Sequence, residues 1–242
     1  MYSKSALIAI CALALCASCG TLPWNKAPDA DEVNLAFTIQ KNLLVISTAS
    51  VQGHRGRFVF GSAEPRTVFD ATFAHSAGMP AGGPVVVQLS EKESVTTTPL
   101  FADLRGAADA ILGADLWGKR AVSVDYVSGL VTYQKEGIHP ESMTLYRFSG
   151  EPKINVAVDG RTIPAIVDTT SPDTLVLPRG NAKARRGKAK VSVAGTDFGS
   201  IDVAYGDVAA PRVGNRVLSK FLVTIDYGRR EVGLWRDPRM PL

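Results

Sequence analysis

The sequence predicts a mostly β protein, and three observations carry that expectation. Beyond residue 34 the chain is built of short runs rich in Val, Ile, Thr, Leu and Phe. Those runs are punctuated by Gly, Pro, Asp and Ser, and few segments repeat apolar residues with the helical period of about 3.6. The 242 residues, 45% hydrophobic and 21% charged, have ordinary globular composition, which excludes collagen-like, coiled-coil and fully disordered chains.

The N-terminus reads as an export signal. Residues 1–5 carry one positive charge, Lys4, and residues 6–17 form an uncharged apolar run with the length of a signal-peptide core, too short to span a bilayer. Cys16-Ala17-Ser18-Cys19-Gly20 resembles a bacterial lipoprotein processing box, with Cys16 standing where leucine is usual. That resemblance implies a signal peptide over residues 1–18 and lipidation of Cys19. Residues 19–34, rich in Pro, Asp, Asn and Ala, would form a tether. The expected location is the cell envelope, on the periplasmic face of a membrane, with the outer membrane favoured and the choice between membranes left open. Acyl chains rather than a helix would hold the protein there. A plain cleaved signal with Cys19 incidental is the alternative.

All three cysteines, Cys11, Cys16 and Cys19, fall in this segment, so disulfides, zinc–thiolate sites, iron–sulfur clusters and a cysteine nucleophile are excluded from the body. His54, His75 and His139 are too scattered for a histidine metal centre, and neither a metal nor a cofactor is expected. Loss of residues 1–18 removes one lysine, so the formal excess of basic residues drops from +4 to about +3, too little to suggest nucleic acid as a partner. Residues 183–190 concentrate five basic side chains; the expectation is a solvated loop, the alternative a contact with an anionic envelope surface. The aromatics, 7% of the chain, are not interleaved with that run and are expected in the core and at the lobe interface.

An internal repeat organises the body. Gly53 is followed after eight residues by Gly61, at the end of Phe58-Val59-Phe60; Gly160 is followed after eight by Asp168, at the end of Ala165-Ile166-Val167. Further on, Gly113 precedes Asp125-Tyr126 by twelve residues, and Gly214 precedes Asp226-Tyr227 by twelve. Two matches in the same order indicate a tandem duplication. The first β-lobe is expected over residues 35–138, a connection over 139–150 and the second lobe over 151–242.

These residues carry a family likeness. The stretch from Ala165 to Leu177, with Asp168-Thr169-Thr170 at its turn, followed by Arg212-Val213-Gly214, resembles the aspartic peptidases of the retropepsin and pepsin group. Ile111-Leu112-Gly113 is the matching apolar-apolar-Gly element of the first lobe, while Arg212 stands in an apolar slot of the second. Residues 191–196 and 85–89 match the flap regions. The resemblance covers residues 40–235 and implies two tandem retropepsin-like β-lobes in a bilobal fold. It also implies catalysis by two carboxylates sharing one proton, one drawing a proton from water while the other polarises the scissile carbonyl.

The chain departs from that pattern twice. Asp168, with Thr169 beside it, holds the catalytic position of the second lobe, but Gly61-Ser62-Ala63 stands where the first Asp-Thr-Gly would be, and glycine has nothing to ionise. Thr170 replaces the glycine that permits close approach, and its bulk is expected to hold the opposite turn away. Glu64 and Asp70 are the nearest acids, three and nine residues past the turn, and are expected on a different part of the loop. Asp168 could equally be kept as a turn residue that accepts hydrogen bonds from following amides. No Gly-x-Ser-x-Gly elbow, phosphate loop, His-Glu-x-x-His or Asp-rich calcium loop is found.

The leading expectation is therefore a degenerate peptidase that binds an extended peptide or protein segment between its lobes. An active enzyme using Asp168 through dimerisation and a purely structural envelope lipoprotein are the alternatives; the oligomeric state is left open.

Overall fold

The computed structural model describes residues 32–118, 120–134, 143–180 and 185–236. The expected signal, Cys19 and the tether as far as residue 31 lie outside the described residues. The chain is mostly β, as its punctuated runs of branched and aromatic residues predict. The first half contains β1 (Val33–Gln40), β2 (Leu43–Ile46), β3 (Ser50–Val51), β4 (Phe58–Phe60), β5 (Val68–Asp70), α1 (Ala71–Ser76), β6 (Val85–Gln88), β7 (Ser94–Thr97), β8 (Leu100–Ala102) and β9 (Ala110–Leu112). A 3-10 turn at Ala114–Leu116 then leads into the hairpin of β10 (Ala121–Asp125) and β11 (Leu130–Gln134). The second half contains β12 (Thr144–Arg147), β13 (Lys153–Val158), β14 (Arg161–Val167), β15 (Leu175–Pro178), β16 (Arg186–Val193), β17 (Thr196–Gly206), β18 (Arg212–Val213), α2 (Asn215–Leu218), β19 (Leu222–Asp226) and β20 (Glu231–Trp235).

The two halves follow the same path. β4 lies parallel to β9 with Phe60 opposite Leu112, and β14 lies parallel to β18 with Val167 opposite Val213. β5 pairs antiparallel with β9 and parallel with β8, as β15 does with β18 and β17. The turns that begin each copy share a backbone conformation: Gln52 and Gly53 have φ of 48° and 77°, Asp159 and Gly160 48° and 80°. Two successive positive φ angles match the twist of a tight hairpin, and glycine at the second place adopts them without a Cβ penalty.

A seam joins the halves. β10 and β19 pair antiparallel from Ala121↔Asp226 to Asp125↔Leu222, and at the midpoint the hydroxyls of Ser123 and Thr224 lie 2.8 Å apart. Six antiparallel strands in the order β12-β20-β19-β10-β11-β1 therefore run across both halves. β1 continues beyond them to pair with β2, carrying the sheet through β4, β9, β5 and β8. The strands β13-β14-β18-β15-β17-β16 close into a barrel, and β3-β6-β7 form a small separate sheet. Val122, Val124, Val223 and Ile225 on the seam strands are fully buried, each contributing about 1.5–3 kcal/mol by leaving water.

Two sequence expectations change here. The basic run at 183–190 is not a loop where it is described: Arg186–Val193 is β16, with Ala189, Val191 and Val193 inward and Lys188 and Lys190 outward. Alternation alone permits this, since a strand buries every second residue whatever the charge between. Arg186 pairs with Asp173 and Lys188 with Asp202, so the run is partly neutralised. β12 falls inside the interval expected to be a connection, and it pairs with β20 as the start of β1 pairs with β11.

Candidate functional site

The site is built from the two turns that follow β4 and β14. Each is tied to the strand beside it in the same way, Gly61 N–H donating to Leu112 O and Asp168 N–H to Val213 O, both at 3.0 Å. Each also rests on a glycine that allows no side chain. A Cβ at Gly113 would lie 2.4 Å from the backbone of Arg66, and one at Gly214 2.3 Å from Asp173 O. The apolar-apolar-Gly element thus packs its backbone directly under the turn.

The turns grip one another reciprocally. Ser62 N–H donates to Thr169 Oγ1 at 2.9 Å, and Thr169 N–H donates to Ser62 Oγ at 3.0 Å. Each hydroxyl then donates to the carbonyl two residues before its partner, Ser62 to Val167 O and Thr169 to Phe60 O, both at 2.6 Å. Ser62 and Thr169 are completely buried. Gly61 and Asp168, Ser62 and Thr169, and Ala63 and Thr170 are therefore related as equivalent positions about the seam. The expectation that Thr170 would hold the turns apart fails, because its side chain bends back instead: Thr170 Oγ1 donates to Asp168 Oδ1 at 2.6 Å and its N–H to the same oxygen at 2.9 Å.

Asp168, 3% exposed, has its second oxygen occupied too. Arg212 Nη1 lies 2.8 Å from Asp168 Oδ2, and Arg212 Nη2 lies 3.8 Å from Glu151 Oε1. The Arg in the apolar slot thus finds its reason in Asp168, which β14–β18 pairing brings beside it. The equivalent residue in the first half is Ile111. A Cβ added at Gly61 would meet Ile111 Cγ2 at 2.5 Å, so an aspartate there would require Ile111 to move. One turn combines glycine with an isoleucine cover, the other aspartate with an arginine cover.

Glu64 is not on a remote part of the loop. Its Cγ lies 3.2 Å from the place a Gly61 Cβ would take, because the chain curls so that Glu64 O accepts the Ala114 N–H at 2.7 Å. Burial, and then the charge of Asp168, hold the Glu64 carboxyl above the ordinary glutamate range, with Arg212 acting against them. Among the described residues that carboxylate makes no hydrogen bond or ion pair. Asp70, in contrast, is structural: its carboxylate accepts from Thr72 N, Phe73 N and Leu104 N, capping α1.

A second layer supports the turns. Tyr227 OH donates to Ser62 O at 2.9 Å; its counterpart Tyr126 donates to Asn215 Oδ1 at 2.8 Å, and Asn215 Nδ2 reaches Thr169 O at 2.7 Å. Burial pushes both tyrosine hydroxyls well above their usual range, so they act as fixed donors. The Asp-Tyr pairs were visible as a repeat, but Asn215 carried no signal. Pro65 and Thr67 recur as Pro172 and Thr174 at the spacing that relates Gly61 to Asp168, a further match that agrees with the alignment of the two turns.

Among the described residues no group of three His, Cys, Asp or Glu could hold a metal. Neither protein-family models nor the curated proteins give any match to this chain.

Proposed function

We propose that this chain is an aspartic-peptidase-like module, resembling the retropepsin and pepsin group in its paired turns, that has abandoned hydrolysis and acts by binding an extended peptide segment between two β-lobes. The supporting observation is that both carboxylate oxygens of Asp168 are taken by the chain itself, one by Thr170 and the other by Arg212. A catalytic carboxylate needs an open oxygen from which to draw a proton from water. With glycine opposite, the pair of carboxylates that would divide the work is absent from the turns. The hairpins β6–β7 and β16–β17 occupy corresponding places in the two copies, and main-chain hydrogen bonds to such hairpins are a general way to hold an extended peptide. On this reading the module is exported and held at the cell envelope through Cys19, with the tether setting its reach.

Assembly of an active pair from Asp168 of two chains is disfavoured, since the adjoining Thr169 is already engaged by Ser62 of the same chain. The test uses protein beginning at Cys19, incubated with a diverse peptide library from acid to neutral pH. Mass spectrometry is expected to show no cleavage, while fluorescence polarisation detects saturable binding of extended peptides. Cleavage that disappears in Asp168→Asn would overturn the reading.

A further inference from the structure

Arg212 sits at the floor of the site as a ligand would. Its guanidinium donates to a carboxylate whose side chain is 5% exposed, while its own side chain remains 27% exposed. Acids from three elements act on it: Asp168, from the turn after β14, and Glu151, from the loop before β13, lie within ion-pair distance, and Glu64, from the turn after β4, bears on it through its charge. Three carboxylates against one guanidinium leave an excess of negative charge around the position it occupies.

The geometry also provides a way out. Glu151, 3.8 Å from Nη2 and 41% exposed, lies on the solvent side of the pair. A guanidinium moving outward from Asp168 would keep an ionic partner, so the displacement does not require an unpaired cation at any stage. The place it leaves would free the Asp168 carboxylate within the electrostatic reach of Glu64, which stands beside Gly61 in the facing turn, and that arrangement favours a cation or a proton there.

We propose that Arg212 is an internal occupant of the binding site, and that the segment recognised there carries a basic side chain, a guanidinium or ammonium group, that exchanges with it. This deepens the binding reading above and rests on it. The peptide's cation takes the Asp168–Glu64 floor while Arg212 shifts to Glu151. Specificity then lies in the charge of one ligand side chain, with the main chain held by the hairpins. The chain's own arginine excludes neutral side chains, which cannot replace the ion pair they would break.

Two measurements test this. In Arg212→Ala, methylguanidinium at several times its Kd is expected to raise Tm by about 2–4 °C in a saturable manner. N-methylurea, neutral and similar in shape, should not, and neither wild type nor Arg212→Ala with Asp168→Asn should respond to methylguanidinium. An equal response in wild type and Arg212→Ala, or to N-methylurea, overturns the proposal. Should Arg212→Ala fail to fold, the wild-type protein decides. Peptides differing only in arginine or citrulline at one position are expected to differ about tenfold in Kd, with the difference collapsing in Glu64→Gln. Equal affinity would refute the exchange while leaving peptide binding intact. Absence of any peptide binding, with methylguanidinium still stabilising Arg212→Ala, would instead overturn the binding reading and the exchange with it, leaving only a cation site beside Asp168.

Discussion

Glu64 links protonation to stability. Its carboxyl is held above the ordinary value of 4.5 by burial and by Asp168, so the folded protein binds this proton more tightly than the unfolded chain does. The stabilisation is complete below that ordinary value and is lost as pH rises through the elevated one. Glu64→Gln is therefore expected to be more stable than wild type at neutral pH and to lose the decline that wild type shows on leaving acid. Thermal unfolding from about pH 4 to about pH 8 measures it, and parallel curves for the two proteins would contradict the assignment. Glu64 also shows where reading by residue distance fails. Three positions past Gly61 looks too far for a shared site, but the curl that presents Glu64 O to Ala114 N–H returns the side chain to the turn. Arg212 was similarly hidden: it lies 44 residues from Asp168, and only the parallel pairing of β14 with β18 explains a charge in an apolar slot.

Among elements, the reciprocal grip of the two turns is the joint on which the site depends. Thr169→Val removes a hydroxyl that accepts from Ser62 N–H and donates to Phe60 O, leaving both groups buried without those partners. A loss of about 2–4 kcal/mol is expected in urea unfolding, with most of it recovered in Thr169→Ser. If valine is tolerated within about 0.5 kcal/mol, the grip is incidental. Much at this scale was legible. The Gly53 and Gly160 turns declare themselves because a positive φ demands a particular residue, and the Gly113 and Gly214 positions do so because a backbone packs where a Cβ would sit. β12 was not legible as the counterpart of β1. Val33-Asn34-Leu35-Ala36-Phe37 and Thr144-Leu145-Tyr146-Arg147-Phe148 share only the final phenylalanine, since β12 is an edge strand held by backbone pairing with mostly exposed side chains, whereas β1 is paired on both sides and buries Leu35 and Phe37.

For the whole molecule, the seam between β10 and β19 makes one sheet of strands from both halves, with Val122, Val124, Val223 and Ile225 fully buried. The halves should then unfold together. Calorimetry of the protein starting at Cys19 is expected to give one transition whose calorimetric and van't Hoff enthalpies agree, whereas two resolved transitions would show that each copy is stable alone. Spacing pointed to the matched strand pairings of the two halves, but not to their union, because nothing along a strand marks it as paired with its counterpart. That union also orders events in time. Ser123 and Thr224 meet across 101 residues, so β10 must wait for the last tenth of the chain before its edge is covered. Until then the first copy has a bare strand flank of the kind that recruits other strands. Synthesis and folding of this protein thus include an interval of exposure whose length is set by how fast the second copy arrives.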